Sequence, residues 1–273
     1  MKTIIDARDS RLILNLKELI VYRDMLMTLT RRDFKVRYAQ SYLGMLWVLA
    51  QPLVNIIFAY VILGAISTDM TQEVKLVYSS SAVALWTYFS FVFEQSGGSI
   101  IASQQMVKKI YFPRLILPIS KALLGLVDFF VALMILIIMV LIMGYVPSSN
   151  SLFGVIFILI TMIAALGIGL WISALSIRFR DFKYASPFLV RVGYMVSPVI
   201  YSSASITDGM SETFKFIYFL NPMAGAIEGF RWSITGIGEF SNMYFLSGIT
   251  GVVLLLSGLI YFKRVERKMA DLV

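Results

Sequence analysis

The sequence predicts an all-α integral membrane protein with six transmembrane helices. Three observations carry that reading. Of the 273 residues, 59% are apolar and only 15% charged, whereas a soluble domain lies nearer about half apolar and about a quarter charged. The apolar stretches are long and continuous. Only helices or closed barrels satisfy the backbone in lipid, and a barrel would show short alternating segments instead. Finally, lysine and arginine gather in alternate connections, as they do when a chain crosses a bilayer repeatedly.

The elements follow in order. Residues 1–42 read as a polar, retained cytoplasmic arm with no signal peptide. Within it Leu19, Tyr22, Leu26 and Leu29 recur at steps of three and four, with Arg23 and Asp24 off the stripe. That spacing predicts an amphipathic helix lying in the membrane interface; a plain solvated lead-in helix is the competing reading. Residues 31–52, RRDFKVRYAQSYLGMLWVLAQP, then switch from basic and amphipathic to apolar, with Trp47 near the changeover. Lys35, Arg37 and Tyr38 thus belong at the headgroups. The remainder, 43–273, forms one membrane domain. Its spans are expected at residues 43–66, 82–102, 119–143, 152–177, 185–201 and 243–262, each judged against the ~20 apolar residues that a bilayer requires. The fifth is short and carries Pro187 and Pro198, which predicts a kinked helix ending before the far surface.

Of the 24 basic residues, all but Lys75, Arg191, Lys215 and Arg231 lie in the arm, the second and fourth connections or the tail. By the positive-inside rule both termini are then cytoplasmic. The net charge of +8 is therefore a topology signal, and no nucleic-acid partner is expected. There is no cysteine and no histidine. A disulfide frame and a thiolate metal site are excluded, and so is the commonest general base. No G-x-x-x-x-G-K-[ST] or G-x-S-x-G motif occurs, and no metal-ligand cluster. Catalysis, a bound metal or a cofactor is not expected of this chain alone.

Several segments ask for more than topology. In SQQMVKKIYFPRLILP, a short helix with Val107, Ile110 and Tyr111 on one side would suit a groove on a partner. The plainer reading makes Lys108 and Lys109 topology signals on a bland loop. In the long fifth connection, residues 202–242, Phe214, Ile217 and Tyr218 share a helical face. Asn221-Pro222 breaks that helix, and proline suits the start of the next. Glu228 and Arg231 are then i,i+3 neighbours. A loop this aromatic is expected to be embedded. Gly225 and Gly229 have the spacing of a helix-packing motif.

In the second span Trp86, Phe89 and Phe93 fall on one face, with Tyr88 and Phe91 roughly opposite. Such rings pack or face lipid in most membrane helices. They can also line a channel on which the C–H faces of sugars stack, with Trp47, Phe58 and Tyr60 of the first span joining them. Glu94, Asp128 and Arg191 interrupt the spans. Each costs at least ~2.5 kcal/mol in a bilayer and is expected to face the bundle interior. Their depths, roughly 9–14 Å from the cytoplasmic ends at the helical rise, predict one loose cluster in which Arg191 neutralises one or both acids. Pairing for structure and a part in gating or substrate passage both remain open.

VRYAQSYLG running on to LWVLAQPL in residues 36–53, with segments 107–120, 178–201 and 221–236 in this order and on these sides, resembles type-2 ABC exporter permeases. The nearest group exports lipid-linked polysaccharides such as O-antigen, capsule and teichoic acid. The resemblance implies a homodimeric pore in the bacterial inner membrane, driven by two separate ATPase subunits that hold Mg-ATP. Its cargo would be a lipid-linked glycan, moved from cytoplasm to periplasm. Val107, Lys108, Lys109, Ile110, Tyr111, Phe112 and Arg114 would form the coupling helix on the ATPase. Arg178, Arg180 and Asp181 would form the basic cytoplasmic turn. Phe214, Ile217, Tyr218, Asn221, Pro222, Glu228 and Arg231 would belong to re-entrant periplasmic helices that gate the outer end. Trp47, Phe58, Tyr60, Trp86, Tyr88, Phe89 and Phe93 would line the pore. Arg191 departs from the family pattern. A type-2 exporter of a small lipophilic drug would instead need a smooth aliphatic path. A membrane enzyme or scaffold would need acid/base pairs at a cleft and no ATPase partner.

Overall fold

A computed structural model describes residues 16–38, 46–66, 70–179 and 181–266, with helices and no strand among them. The helices are α1 (Leu16–Val21), α2 (Arg23–Tyr38), α3 (Leu46–Ile66), α4 (Gln72–Ala102), α5 (Gln104–Lys109), α6 (Ile116–Ile142), α7 (Gly154–Arg178), α8 (Asp181–Val196), α9 (Ser203–Thr207), α10 (Glu212–Phe219), α11 (Pro222–Thr235) and α12 (Met243–Glu266). Five of them, α3, α4, α6, α7 and α12, are long and apolar enough to cross a membrane. The chain is thus a multi-pass helical membrane protein. Arg180 and residues 1–15 of the arm lie outside the described residues.

The bundle is organised around α4. In its most apolar stretch 78% of residues are buried, against 22–44% in the other four. It begins at Gln72, ten residues before the expected start at 82, so most of the stretch between the first two expected spans, residues 67–81, is helix. Thr71 caps it by accepting from Val74 N–H, which satisfies one orphan donor. The polar run that reads as loop, Ser79 to Ser81, fits because each hydroxyl bonds back to a carbonyl one turn earlier, an option open to serine inside a helix.

Close packing relies on small residues. Gly167 of α7 sits so near α12 that an added Cβ would lie 2.6 Å from Leu255 N and 2.8 Å from Leu254 C. Trp171 stacks on Tyr261 at 4.6 Å and donates to Ser257 Oγ at 3.1 Å across the same seam. Glycine lets membrane helices approach in this way. Gly225 and Gly229 also pack helices, but against different neighbours: Ser247 of α12 and the Phe157 ring of α7.

The arm helices pack on the bundle through their apolar stripe. Leu29 is buried, and Leu19, Tyr22 and Leu26 pack onto a second apolar cluster that contains Ile100, Val107, Phe112, Leu115 and Phe262. The amphipathic stripe finds its apolar partner in the protein itself.

The expected fifth span runs differently. It begins four residues earlier than predicted and stops at Val196, not residue 201. At 16 residues it is about 24 Å long, short of the ~30 Å hydrocarbon core. Pro198 cannot extend the helix, and residues 197–201 form a turn. Beyond it, α10 and α11 are separated at Asn221, whose side chain accepts from Met223 N–H while Pro222 opens α11. Gly236, at φ 65°, closes α11 in the left-handed conformation that favours glycine.

Candidate functional site

Helices α2, α3, α4, α6 and α8 line an open cavity of ≈ 820 Å³. Each presents one face to it. Helix α2 gives Asp33, Val36 and Arg37, and α3 gives Gln51, Asn55 and Phe58. Thr87, Ser90, Phe91 and Glu94 come from α4, flanked by Trp86 and Gln95. Lys121, Leu124 and Asp128 come from α6, and Val190, Arg191, Tyr194 and Met195 from α8. Steps of three and four along every helix mark single faces. More than half of these residues are polar.

Two ion pairs dock the arm against α6. Arg37 Nη1 lies 2.6 Å from Asp128 Oδ2, and its guanidinium is 4.6 Å from the centre of the Phe91 ring. Lys121 Nζ lies 2.7 Å from Asp33 Oδ2, and Arg32 holds the other oxygen of Asp33 at 2.8 Å. Burial alone would raise the Asp33 pKa. Hydrogen bonds from Lys121 and Arg32 outweigh it and hold the carboxyl below its usual range.

The predicted cluster of Glu94, Asp128 and Arg191 does line one cavity, and the charge of Arg191 acts on Glu94 there, but the partner of Asp128 is corrected. Asp128, 5% exposed, is neutralised by Arg37, which reading in order had assigned to the headgroups. Arg191 is exposed and Glu94 half-buried, and neither makes an ion pair within 4.0 Å among the described residues. The long arm side chain reaches Asp128 because α2 packs along α6.

The aromatic rings fall into two groups that meet at Trp86, which lines the cavity and is also part of the core. Phe58 and Trp86 line the cavity, and so do Phe91 and Tyr194, with Trp86 edge-on to Tyr194 at 5.6 Å. Tyr88, Phe89 and Phe93 are packed into the core, Tyr88 against Phe129 at 5.9 Å and Phe89 against Phe93 at 6.1 Å. Trp47 is 53% exposed, and neither it nor Tyr60 is part of the lining.

At the opposite end of the bundle, the predicted Glu228–Arg231 pair forms at 3.3 Å. Its setting is a buried knot. Arg231, 1% exposed, donates to the carbonyls of Tyr78, Pro198, Val199 and Tyr201 at 2.6–3.0 Å. Its guanidinium also covers the Tyr78 ring at 3.7 Å. Glu228 accepts from Ser203 N–H at 2.6 Å and from the Tyr78 hydroxyl at 3.2 Å. The Tyr201 hydroxyl caps α8 by donating to Val196 O at 2.7 Å. Irregular backbone among membrane helices needs such partners. Phe214 and Ile217 of α10 are exposed, while Tyr218 is half-buried.

The short helix expected in the second connection is α5. Val107 and Phe112 point into the protein, whereas Lys108, Lys109, Ile110 and Tyr111 are exposed. Val107 therefore does not share the outward side with Ile110 and Tyr111. Arg114 is tied to Glu266 through its own N–H at 3.0 Å and through its guanidinium, and the Tyr111 hydroxyl donates to Glu18 at 3.2 Å. The segment is thus anchored to both the arm and the last helix. In the next connection Arg178 stacks on Phe179 at 5.2 Å, and Asp181 opens α8.

The family described as ABC-2 type transporter matches residues 25–235. The chain belongs to the ABC-2 type transporter family. Two relatives from Klebsiella pneumoniae named O-antigen export system permease protein RfbA are 27% and 28% identical, over 91% of this chain and 95% of their own. A polysialic acid transport protein, KpsM, from Escherichia coli is 22% identical over 88% of this chain and 93% of its own. In this ABC-2 member the cavity also takes Asp33 and Lys121, Arg37 from its expected place at the headgroups, and the neutral stripes of α3 and α4, none of which the sequence assigned to a site. A signal was present. Asp33 and Arg37 carry opposite charges one turn apart, and Lys121 and Asp128 carry the complementary order two turns apart.

Proposed function

We propose that this chain is the permease of an ABC exporter that moves a lipid-linked polysaccharide, of O-antigen, capsule or teichoic-acid type, from the cytoplasm to the far side of the membrane. The observation that carries the reading is the near full-length match to relatives named as O-antigen export permeases. In this reading α8 is the fifth of six spans and α12 the sixth, and the region from α9 to α11 dips back into the membrane as an outer gate. The arm of residues 1–42, the α5 connection and the tail face the cytoplasm of a bacterial inner membrane. Two copies of the 43–273 domain form the pore. A separate pair of ATPase subunits binds Mg-ATP and performs the hydrolysis. The exposed Lys108, Lys109, Ile110 and Tyr111 are suited to contact them, and the anchors on Glu18 and Glu266 would pass motion into the arm and α12. The amide, hydroxyl and charged lining of the cavity favours a glycan over a small lipophilic cargo.

Deleting the chain from its host while leaving the neighbouring ATPase intact should remove the glycan from the surface and trap it inside. Affinity capture of the full chain from native membranes should bring down an ATPase, and deleting residues 108–111 should weaken that association. Normal surface glycan after deletion, or capture without any ATPase, would refute the proposal.

A further inference from the structure

We infer that the cavity selects an uncharged sugar polymer over an acidic one. This inference rests on the export reading and names the substrate class of the same site. Arg37, Lys121 and Arg191 supply its cations, and Asp33, Glu94 and Asp128 its acids. Arg37 with Asp128, at 2.6 Å, and Lys121 with Asp33, at 2.7 Å, cancel within the wall. Glu94 and Arg191 remain. They come from different helices, face the same space and lie beyond ion-pair distance of one another among the described residues. A path built for polyanions carries an excess of arginine or lysine. Here the three lining cations face three lining acids, with Arg32 outside the lining and spent on Asp33, and Glu94 stands in the way of an incoming carboxylate.

The remaining surface fits a neutral hydroxyl-rich chain. Gln51, Asn55, Thr87 and Ser90 offer amides and hydroxyls between the charges. A sugar hydroxyl can donate to Glu94 while a neighbouring one accepts from Arg191. An acidic sugar gains at Arg191, is repelled at Glu94 and still loses its hydration shell. Pairing two copies about a two-fold axis doubles both signs and leaves the balance unchanged. The volume, ≈ 820 Å³, falls within the ~300–1,000 Å³ of ordinary ligand sites.

The test uses the full chain in lipid nanodiscs, titrated at low salt with mannohexaose and, separately, with hexagalacturonate. The neutral oligosaccharide should bind roughly tenfold tighter. Glu94→Gln should raise hexagalacturonate affinity several-fold and so narrow the gap between the two probes, and that gain should fade as salt rises. Arg191→Gln should lower hexagalacturonate affinity further. Affinities equal for the two probes, binding of neither, or a ratio unmoved by Glu94→Gln would overturn the inference, and the wild-type ratio decides alone if the variants fold poorly. A second arm supplies cells lacking their own permease with this chain, its ATPase and one polymer, with or without acidic sugars, on the same carrier. Selective binding with neither polymer exported refutes the export reading and leaves the selectivity. Equal export of both refutes the selectivity and leaves the export reading.

Discussion

Arg231 and Arg191 are both arginines among apolar helices, and their surroundings differ in every respect. Arg231 is 1% exposed, bonded to four carbonyls and one carboxylate, and stacked on Tyr78. Arg191 is exposed, lines a cavity and has no ion pair within 4.0 Å among the described residues. A fully satisfied intramembrane charge leaves nothing for a ligand; it fixes the backbone of residues 197–201 against α4. A charge left facing a polar cavity is open to one. The contrast divides the molecule into a rigid end, around Arg231, and a working end, around the cavity.

The largest effect that would break this division is expected at the rigid end. Arg231→Ala would strand Glu228 and the carbonyls of the turn, at a cost of about 3–5 kcal/mol. Arg231→Lys should rescue little, because an ammonium lacks the planar fan of donors. Thermal unfolding of purified protein checks both, and a wild-type-like melting point would contradict the assignment. Next comes Gly167→Ala, whose Cβ meets the α12 backbone. Overpacking there should cost about 1–3 kcal/mol, read in the same way.

The working end should respond in function more than in folding. In a double-mutant cycle of Arg37→Ala and Asp128→Ala, the coupling energy should reach roughly 0.5–3 kcal/mol, and the charge-exchanged pair should regain part of the lost export. Additive losses would show that the arm is not held through this pair. The Asp33 contact should depend on pH with a definite sign. Its folded pKa lies below the reference value of 3.8. Its contribution is therefore complete above that value and is lost as pH falls through the lower, folded one. Proteolysis of α2 should accelerate only on strong acidification; an onset near neutrality would implicate another group. The smallest effect belongs to the exposed pair Lys215–Glu212. Removing either side chain should change stability by no more than about 0.5 kcal/mol.

Much of the helical architecture was legible in the sequence because apolar length is a local signal. The caps at Asn221 and Gly236, the short fifth helix and the i,i+3 pair are local too. What escaped depended on helices meeting. Ser79 to Ser81 looked like loop, since three serines lower apparent hydropathy although each bonds its own backbone. Arg37 looked like a headgroup marker, because its partner Asp128 lies 91 positions away in the chain. Tyr88, Phe89 and Phe93 looked as suited to a channel as Trp86 or Phe58. Periodicity gives the faces of a helix, and only the packing of α4 against α6 and α7 decides which face is core. The polar stripes Gln51/Asn55 and Thr87/Ser90/Glu94 were visible at helical spacing, and they pointed to the cavity better than the rings did.

Because the chain has no cysteine, single cysteines can probe both ends without interference. Ser90 lines the cavity, and Ser81 is 0% exposed beside the Arg231 knot. With its ATPase in membranes, Ser90→Cys should react with a water-soluble maleimide and lose export once labelled, while Ser81→Cys should stay unlabelled in the folded protein. An inert Ser90→Cys, or one that is labelled with export undiminished, would contradict the assignment of the cavity to the transport path.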